Sequence, residues 1–298
     1  MTNRKLQLLI VDDDAGFREV LQDIFAERED IYLTQADSGS DALEKVQTAD
    51  FDLVLLDMRM PSGTEGLDAL HEIKKLKPQI EVIMVTGYGD IETAVEAMKR
   101  GAKDFVPKSP KDFKDRITFK VNDFIRTAHL IADRELLIQA KYQETLTLTN
   151  SQAKGKVLEE LVSALLESVG GFIEIGRDVN TATEEIDLVF RNDSREPAWH
   201  KESQIILVEC KNWHSQRVGK NEFVLFKEKM ENRAGRCKLG FLVCTEDFAV
   251  TVEKEMLRSS KFDSLVVPIN GAQLRELVEA GRERSQRLRE LVDRALLI

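Results

Sequence analysis

The chain has 298 residues, about twice the span of a common domain, and carries 43 Lys and Arg against 53 Asp and Glu, a net charge of −10. With 42% hydrophobic and 32% charged residues the composition excludes a disordered chain, and the lack of any apolar run near ~18 residues excludes a membrane-spanning helix. Three cysteines without CxxC spacing argue against a disulfide framework or a zinc site; with no secretory-type apolar stretch at Met1 to Gln7, a reduced, cytoplasmic protein is expected.

Taken whole, the acidity argues against a nucleic-acid partner. Taken by segment, it does not. Residues 1–110 hold 13 basic and 22 acidic side chains, residues 111–150 hold 7 and 6, and residues 151–298 hold 23 and 25. The first segment carries nearly all of the negative charge.

In that segment apolar runs at 6–11, 53–56, 82–85 and 105–106, with a weaker one at 31–34, alternate with helical patterns such as 15–27, 40–47 and 91–100. This alternation predicts a doubly wound α/β unit, a five-stranded parallel sheet with helices on both faces. Chemistry in such a sheet collects beyond the carboxyl ends of the strands. There stand Asp12, Asp13 and Asp14 after the first run, Asp57 after the third, Thr86 after the fourth and Lys108 after the last. Carboxylates crowded on one rim call for a hard cation such as Mg²⁺, and an ammonium with a hydroxyl suits a phosphoryl group carried on a carboxylate.

Residues 111–150 contain no glycine, and apolar Phe113, Ile117, Val121, Phe124, Ala128, Ile131 and Ile138 recur at helical spacing. A long helix joining two domains is predicted, its stripe free either to pair with a second copy or to pack on its own domain. The register weakens at Glu135.

In the last segment a helix over about 153–169 would bury Leu158, Leu161, Val162, Leu165 and Val169, with Glu159 flanking that face and Glu160 pointing away. Strands follow at 185–190 and 204–211. Glu209 and Lys211, two residues apart, share one strand face. An isolated ExK reads most simply as an exposed ion pair. Together with Glu159 and Asp187 it makes a set that could chelate Mg²⁺ and place a lysine beside a water attacking a phosphodiester. From 211 to 238 eight basic residues face three acidic ones; Lys220, Lys227, Lys229 and Arg233 are candidate DNA contacts. The competing reading is a solvated helix face with pairs such as Lys227 with Glu231. Trp213 and His214 could line the same groove. Residues 272–298 read as one packing helix.

The motifs IVDDD, LLDMRMP, TGYGDIETAVEAMKRGAKDF and VPK resemble the receiver domain of two-component response regulators over about residues 5–125. The resemblance implies Asp57 as phospho-acceptor from a sensor histidine kinase, and Mg²⁺ on Asp12, Asp13, Asp57 and the Arg59 carbonyl. It implies Lys108 and Thr86 on the phosphoryl group and Phe105 as an aromatic switch. One departure is Lys108-Ser109-Pro110 where Lys-Pro with a cis bond is usual; a cis bond before Ser109 would cost ~3 kcal/mol more than trans. The second set, with FVLFKEKMENRAGRCKLGFLVCTEDFAVTVEKEM and VVPINGAQLRELV, resembles the PD-(D/E)xK superfamily in its Mrr-type restriction endonuclease branch over about 153–280. That resemblance implies a restriction-endonuclease-like α/β domain with a mixed sheet. It also implies a Mg²⁺ site, with Mn²⁺ as an alternative occupant, on Asp187 and Glu209, and catalysis by Lys211 with Glu159 assisting. Ile186 stands where Pro is frequent, which leaves Glu185 as a rival ligand.

The expected organisation is a receiver over 1–112, a linker and dimerisation helix over 113–150, and a nuclease over 151–298. Such a chain would be phosphorylated by a kinase, act on DNA as a homodimer, and have no membrane association. The alternative is a phosphorylation-dependent DNA-binding or docking protein whose nuclease fold is silent.

Overall fold

The structure, a computed structural model, describes residues 4–60, 65–87, 91–109, 111–181, 184–212, 216–259 and 264–297. The chain divides into two compact units, Met1–Ala128 and His129–Ile298.

Unit 1 alternates strand and helix: β1 Leu6–Val11, α1 Ala15–Phe25, β2 Ile31–Ala36, α2 Gly39–Thr48, β3 Leu53–Asp57, α3 Glu65–Leu76, β4 Glu81–Thr86, α4 Ile91–Lys99 and β5 Asp104–Pro107. The order β2-β1-β3-β4-β5 is parallel throughout, as the sequence predicts. Successive strand residues feed opposite faces. Leu8 and Ile10 pack with Leu21, Phe25, Ile117 and Val121; Leu9 and Val11 pack with Ala42, Val46, Leu70 and Ala97. Burial on both faces explains the unbroken apolar runs. Helix starts are fixed locally: the Asp14 carboxylate accepts from the Gly16 and Phe17 amides, and the Ser38 hydroxyl from Asp41.

Helix α5, Phe113–Thr147, is continuous for 35 residues, and its stripe serves both units. Phe113, Ile117 and Val121 are buried in unit 1. Ile138 is buried in unit 2 and Tyr142 packs there. Between these parts Leu130, Ile131, Leu136 and Leu137 are about half exposed or more, so Ile131 does not share the burial of its stripe. The weakened register at Glu135 has a cause within unit 2: the buried Arg284 guanidinium donates to both Glu135 oxygens at 2.7 and 2.8 Å. An acid interrupts the apolar stripe because its partner is an arginine that packing has desolvated.

Unit 2 continues with α6 Ser151–Glu167, β6 Phe172–Asn180, β7 Glu185–Asn192, β8 Ile205–Lys211, α7 Lys220–Glu231, β9 Leu239–Cys244, α8 Val250–Ser259, β10 Leu265–Ile269, α9 Gly271–Glu279 and α10 Arg284–Leu296. Its sheet, β10-β9-β8-β7-β6, is mixed: β6, β7 and β8 pair antiparallel, and β8, β9 and β10 parallel. One face packs Leu158, Leu161, Val162 and Leu165 of α6 with α9 and α10. The other packs Phe223, Phe226 and Met230 of α7 with Val252 of α8. The single helix expected over 272–298 is instead two helices. Gly281 adopts φ +52 between them, a left-handed conformation that ends the first helix.

Candidate functional sites

The carboxyl ends of β1 and β3 are adjacent, and the connection reverses direction between them, the place where a crevice opens in a doubly wound sheet. Asp12 and Asp13 follow β1, and Asp57 ends β3. Ligand oxygens of Asp12, Asp13 and Asp57 lie within 4.8 Å of one another. Asp12 and Asp57 are buried, and Asp13 is exposed. Lys108, just past β5, places its ammonium 2.6 Å from Asp12 Oδ2 and 3.4 Å from Asp57 Oδ1. Thr86 is fully buried at the end of β4, and Phe105 is half-buried against the core beside it. The Lys108–Ser109 bond is trans; Pro110 lies outside the described residues. Gly66 is required here: a Cβ at that position would stand 2.1 Å from the Asp57 carbonyl oxygen, so α3 approaches the Asp57 loop only because its second residue has no side chain.

Comparison with known proteins matches the response regulator receiver domain to residues 8–118. Residues 8–118 are a response regulator receiver domain. The transcriptional regulatory protein ZraR of Escherichia coli O157:H7 is 40% identical over 131 residues, covering 44% of this chain and 29% of that protein. The regulatory protein LuxO of Vibrio cholerae is 40% identical over 99 residues, covering 33% and 21%. The chain therefore spans less than a third of the length of these relatives. Among solved structures, the receiver domain of NtrX from Brucella abortus is 34% identical with a TM-score of 0.37, covering 40% of this chain and 98% of that one. The signal receiver domain of a LuxO repressor protein from Vibrio parahaemolyticus is 25% identical with a TM-score of 0.39, covering 42% and 94%.

The receiver rim fits Mg²⁺ on its donor set, three carboxylates with two of them buried. Burial pushes the Asp57 carboxyl up to about 6; Lys108 pulls it down and Asp12 pushes it up again. Asp12 is also raised, chiefly by burial, against the pull of Lys108. Two groups outside the sequence reading complete the receiver rim. Phe17 lies under the Lys108 ammonium at 4.1 Å from its ring centre, a cation–π contact. Arg18 donates to the Asp12 carbonyl at 2.7 Å. Both lie on α1, where they read as ordinary amphipathic positions.

In unit 2 the strand pairing carries Asp187 and Glu209 to the same end of neighbouring strands, one position beyond the Leu188–Val208 pair. Asp187 Oδ2 accepts from the Cys210 amide at 2.6 Å. Glu185, the rival ligand, is exposed at the start of β7 and pairs across with Asn180. Glu209 is buried, and Lys211 donates to its Oε1 at 2.7 Å. Glu159, on α6, is half-buried, and its Oε2 is enclosed without a hydrogen-bond partner. Its carboxyl is pushed up to about 7 by burial and then by Asp187 and Asp178. Asp187 is pushed up to about 6 by burial and then by Glu209, with the Cys210 amide, Lys211 and Lys229 pulling it down. Burial pulls the Lys211 ammonium down, but the adjoining Glu209 outweighs it and holds the group above its ordinary value. The all-oxygen donor set and the enclosed, unpartnered Glu159 oxygen fit a hard divalent cation. Among the described residues only the receiver carboxylates gather three ligand atoms within 4.8 Å; Glu159, Asp187 and Glu209 stand wider.

The basic residues proposed for DNA contact are distributed differently from the sequence expectation. Lys227 turns inward: its side chain is 9% exposed, it lies 3.8 Å from Glu231, and burial lowers its pKa. It packs against the domain and presents no charge to a groove. Lys229 points to the catalytic candidates, 2.7 Å from Glu209. Arg233 pairs with Glu184 at 2.7 Å and Lys220 with Glu255 at 3.3 Å. The local excess of positive charge is thus largely met by acids from elsewhere in the unit. Trp213 and His214 lie outside the described residues. Glu160, expected to be solvated, pairs with Lys141 of α5 at 2.6 Å. No helix among the described residues is long and apolar enough to cross a membrane.

Asp57, Asp187 and Glu159 all have folded-state values above their unfolded ones. Between the two values the folded state binds more protons, so stability falls as pH rises through that window. Carboxylates held low by cations, such as Asp41 and Glu174, keep their contribution above their unfolded values and change little there. The protein in EDTA is expected to melt at a higher temperature near about pH 6 than near about pH 8, and saturating Mg²⁺ should flatten the difference by favouring ionised carboxylates. Calorimetry in the two buffers checks this; melting temperatures that climb with pH in EDTA would contradict it.

Proposed function

We propose that this chain is a response regulator in which Asp57 takes a phosphoryl group from a sensor histidine kinase and governs a Mg²⁺-dependent DNA endonuclease in its second unit. The observation that carries the catalytic half is the convergence of Glu159 from α6, Asp187 from β7, and Glu209 and Lys211 from β8. Two of these carboxylates are pushed towards neutrality, and Glu159 has an oxygen with no partner. Carboxylates raised by burial beside a specific charge partner are candidates for a functional site.

In the receiver, the ionised Asp57 carboxylate attacks phosphorus, and an acyl phosphate replaces the phosphohistidine bond. Lys108 moves from Asp12 and Asp57 to the new phosphoryl oxygens, and the Thr86 hydroxyl donates to one of them. Phe105, already half-buried, follows Thr86 inwards. In the second unit, Asp187 and Glu209 would hold the metal with Glu159 beside them; Mg²⁺ would supply Lewis acidity at the phosphodiester and a more acidic water, and Mn²⁺ could replace it. Lys211, held protonated by Glu209, orients the attacking water and steadies charge on the phosphorus oxygens. It acts as an acid-side positioning group, not as the base.

α5 is one helix shared by both units, and Leu130, Ile131, Leu136 and Leu137 form an apolar stretch open to solvent. We take a second copy of the chain as its partner: two sites, one per copy, would serve a double-strand cut. The reading requires that the full chain convert supercoiled plasmid to nicked and linear forms in Mg²⁺ and leave it intact in EDTA. Plasmid untouched in Mg²⁺ both with and without acetyl phosphate would overturn it.

One observation favours a second reading. The ZraR relatives are named as transcriptional regulators, and a phosphorylation-dependent DNA-binding protein with a silent nuclease fold would suit that company. Retention of intact plasmid on the protein in Mg²⁺ would support this reading over the first.

A further inference from the structure

Glu209 is held from two sides. Its Oε1 accepts from Lys211 and its Oε2 from Lys229, each at 2.7 Å. Lys211 belongs to the same strand. Lys229 comes from the last turn of α7, twenty positions along the chain, and its side chain is 18% exposed. A lysine that reaches inwards to an acid already paired pays the desolvation of a second ammonium. Neighbouring acids supply the reason for it: Asp187, Glu209 and Glu159 crowd one site, and two ammonium groups, Lys211 and Lys229, bring it close to balance without any cation.

That balance conflicts with metal binding. An ammonium 2.7 Å from Glu209 Oε2 takes one lone pair of that oxygen, and it would repel a cation placed beside it. Adding two positive charges to a half-buried, balanced site is costly unless an ammonium leaves or an anion arrives. A phosphodiester is such an anion, and Lys229, released from Glu209 at 2.7 Å, is an ammonium within the same cluster that could receive it. α7 is the element that can supply this group. Its other lysines are turned elsewhere, Lys227 towards Glu231 and Lys220 towards Glu255.

We propose that Lys229 is a second functional lysine of this site: it holds Glu209 Oε2 in place of the metal, and it passes to a non-bridging oxygen of the substrate phosphodiester when the metal binds. The inference rests on the nuclease reading and deepens it. Lys229 would restrain futile metal loading without substrate and couple cation and DNA binding, each making the other tighter.

The test uses the full chain with Asp12→Asn and Asp13→Asn, so that receiver metal binding is suppressed. Free Mn²⁺ is measured by electron paramagnetic resonance during titration. Lys229→Met is expected to bind Mn²⁺ in the second unit at least about tenfold more tightly than its parent, a loss of ~1.4 kcal/mol of competition. Lys229→Arg, which keeps the charge, should stay near the parent. In Ca²⁺ the Met variant should lose affinity for a short DNA duplex, read by fluorescence anisotropy. Lys229→Gln repeats the titration should the Met variant fail to fold. Mn²⁺ affinity unchanged or weakened in the neutral variants overturns the role of Lys229 while leaving the nuclease reading intact. No Mn²⁺ binding by the second unit of any protein overturns both.

Discussion

Replacing Asp57 with asparagine is expected to abolish stable phosphoryl transfer to the chain and, with it, any phosphorylation-dependent self-association. The amide keeps the shape of the side chain but lacks the nucleophilic oxygen that forms the acyl phosphate. Asp12 and Asp13 cannot substitute. Asp12 is held by Lys108 at 2.6 Å and by the Asp14 amide at 3.0 Å, and Asp13 is exposed to water. Because burial raises Asp57 to about 6, the group is mostly ionised at neutral pH and its reactivity should decline as pH falls through that value. The Asn variant removes a carboxylate that burial disfavours, so it should fold at least as stably as the parent in EDTA. Incubation with acetyl phosphate followed by intact mass measurement and sedimentation checks both effects. A phosphoryl adduct on the Asn variant, or a monomer–dimer balance that still responds to acetyl phosphate, would contradict the assignment.

The second large effect is at Lys211. Lys211→Ala is expected to lower plasmid cleavage by about 10²–10³-fold, the span seen when one charge-stabilising donor is removed from a site. DNA binding in Ca²⁺ should change far less. The loss should not be rescued by raising pH, because Lys211 acts as an ammonium held charged by Glu209. Cleavage rate across pH in wild type and variant separates this from a general-base role, for which the wild-type rate would climb steeply as the lysine deprotonates. Cutting that persists unchanged in Lys211→Ala would remove the nuclease assignment.

How much of this was legible in the sequence differs between the two units. The receiver rim was legible almost entirely, because strands buried on both faces leave unbroken apolar runs and their ends point directly to Asp12, Asp57, Thr86 and Lys108. Phe17 and Arg18 were not legible, since their roles depend on where α1 lies over the sheet. In unit 2, β7 and β8 stood out, but β6 did not. It is an edge strand with Ile173 and Ile175 partly exposed, an irregular register between Glu174 and Gly176, and charged residues on both faces, so neither alternation nor an apolar run marks it.

The basic stretch over 211–238 shows the limit of counting charge along a chain. Glu184, Glu209 and Glu255, which neutralise Arg233, Lys229 and Lys220, lie outside α7 and its flanking loops. Lys227 is buried on α7 along with Phe223, Phe226 and Met230. Glu135 shows the converse case. As a break in a stripe it suggested a weak helix pairing, and its partner Arg284 lies 149 positions away. Gly281 divides the C-terminal helix through a backbone conformation that spacing of apolar residues does not register.

Phosphorylation of the receiver is proposed to control phosphodiester cleavage by the second unit. This control is tested most directly by the initial rate of plasmid linearisation in Mg²⁺, with and without acetyl phosphate, for the wild type, Asp57→Asn and Asp187→Asn. Acetyl phosphate is expected to accelerate linearisation by the wild type, to have no effect on Asp57→Asn, and to elicit no cutting from Asp187→Asn. Equal cutting by all three proteins, or none by the wild type in either condition, would contradict it.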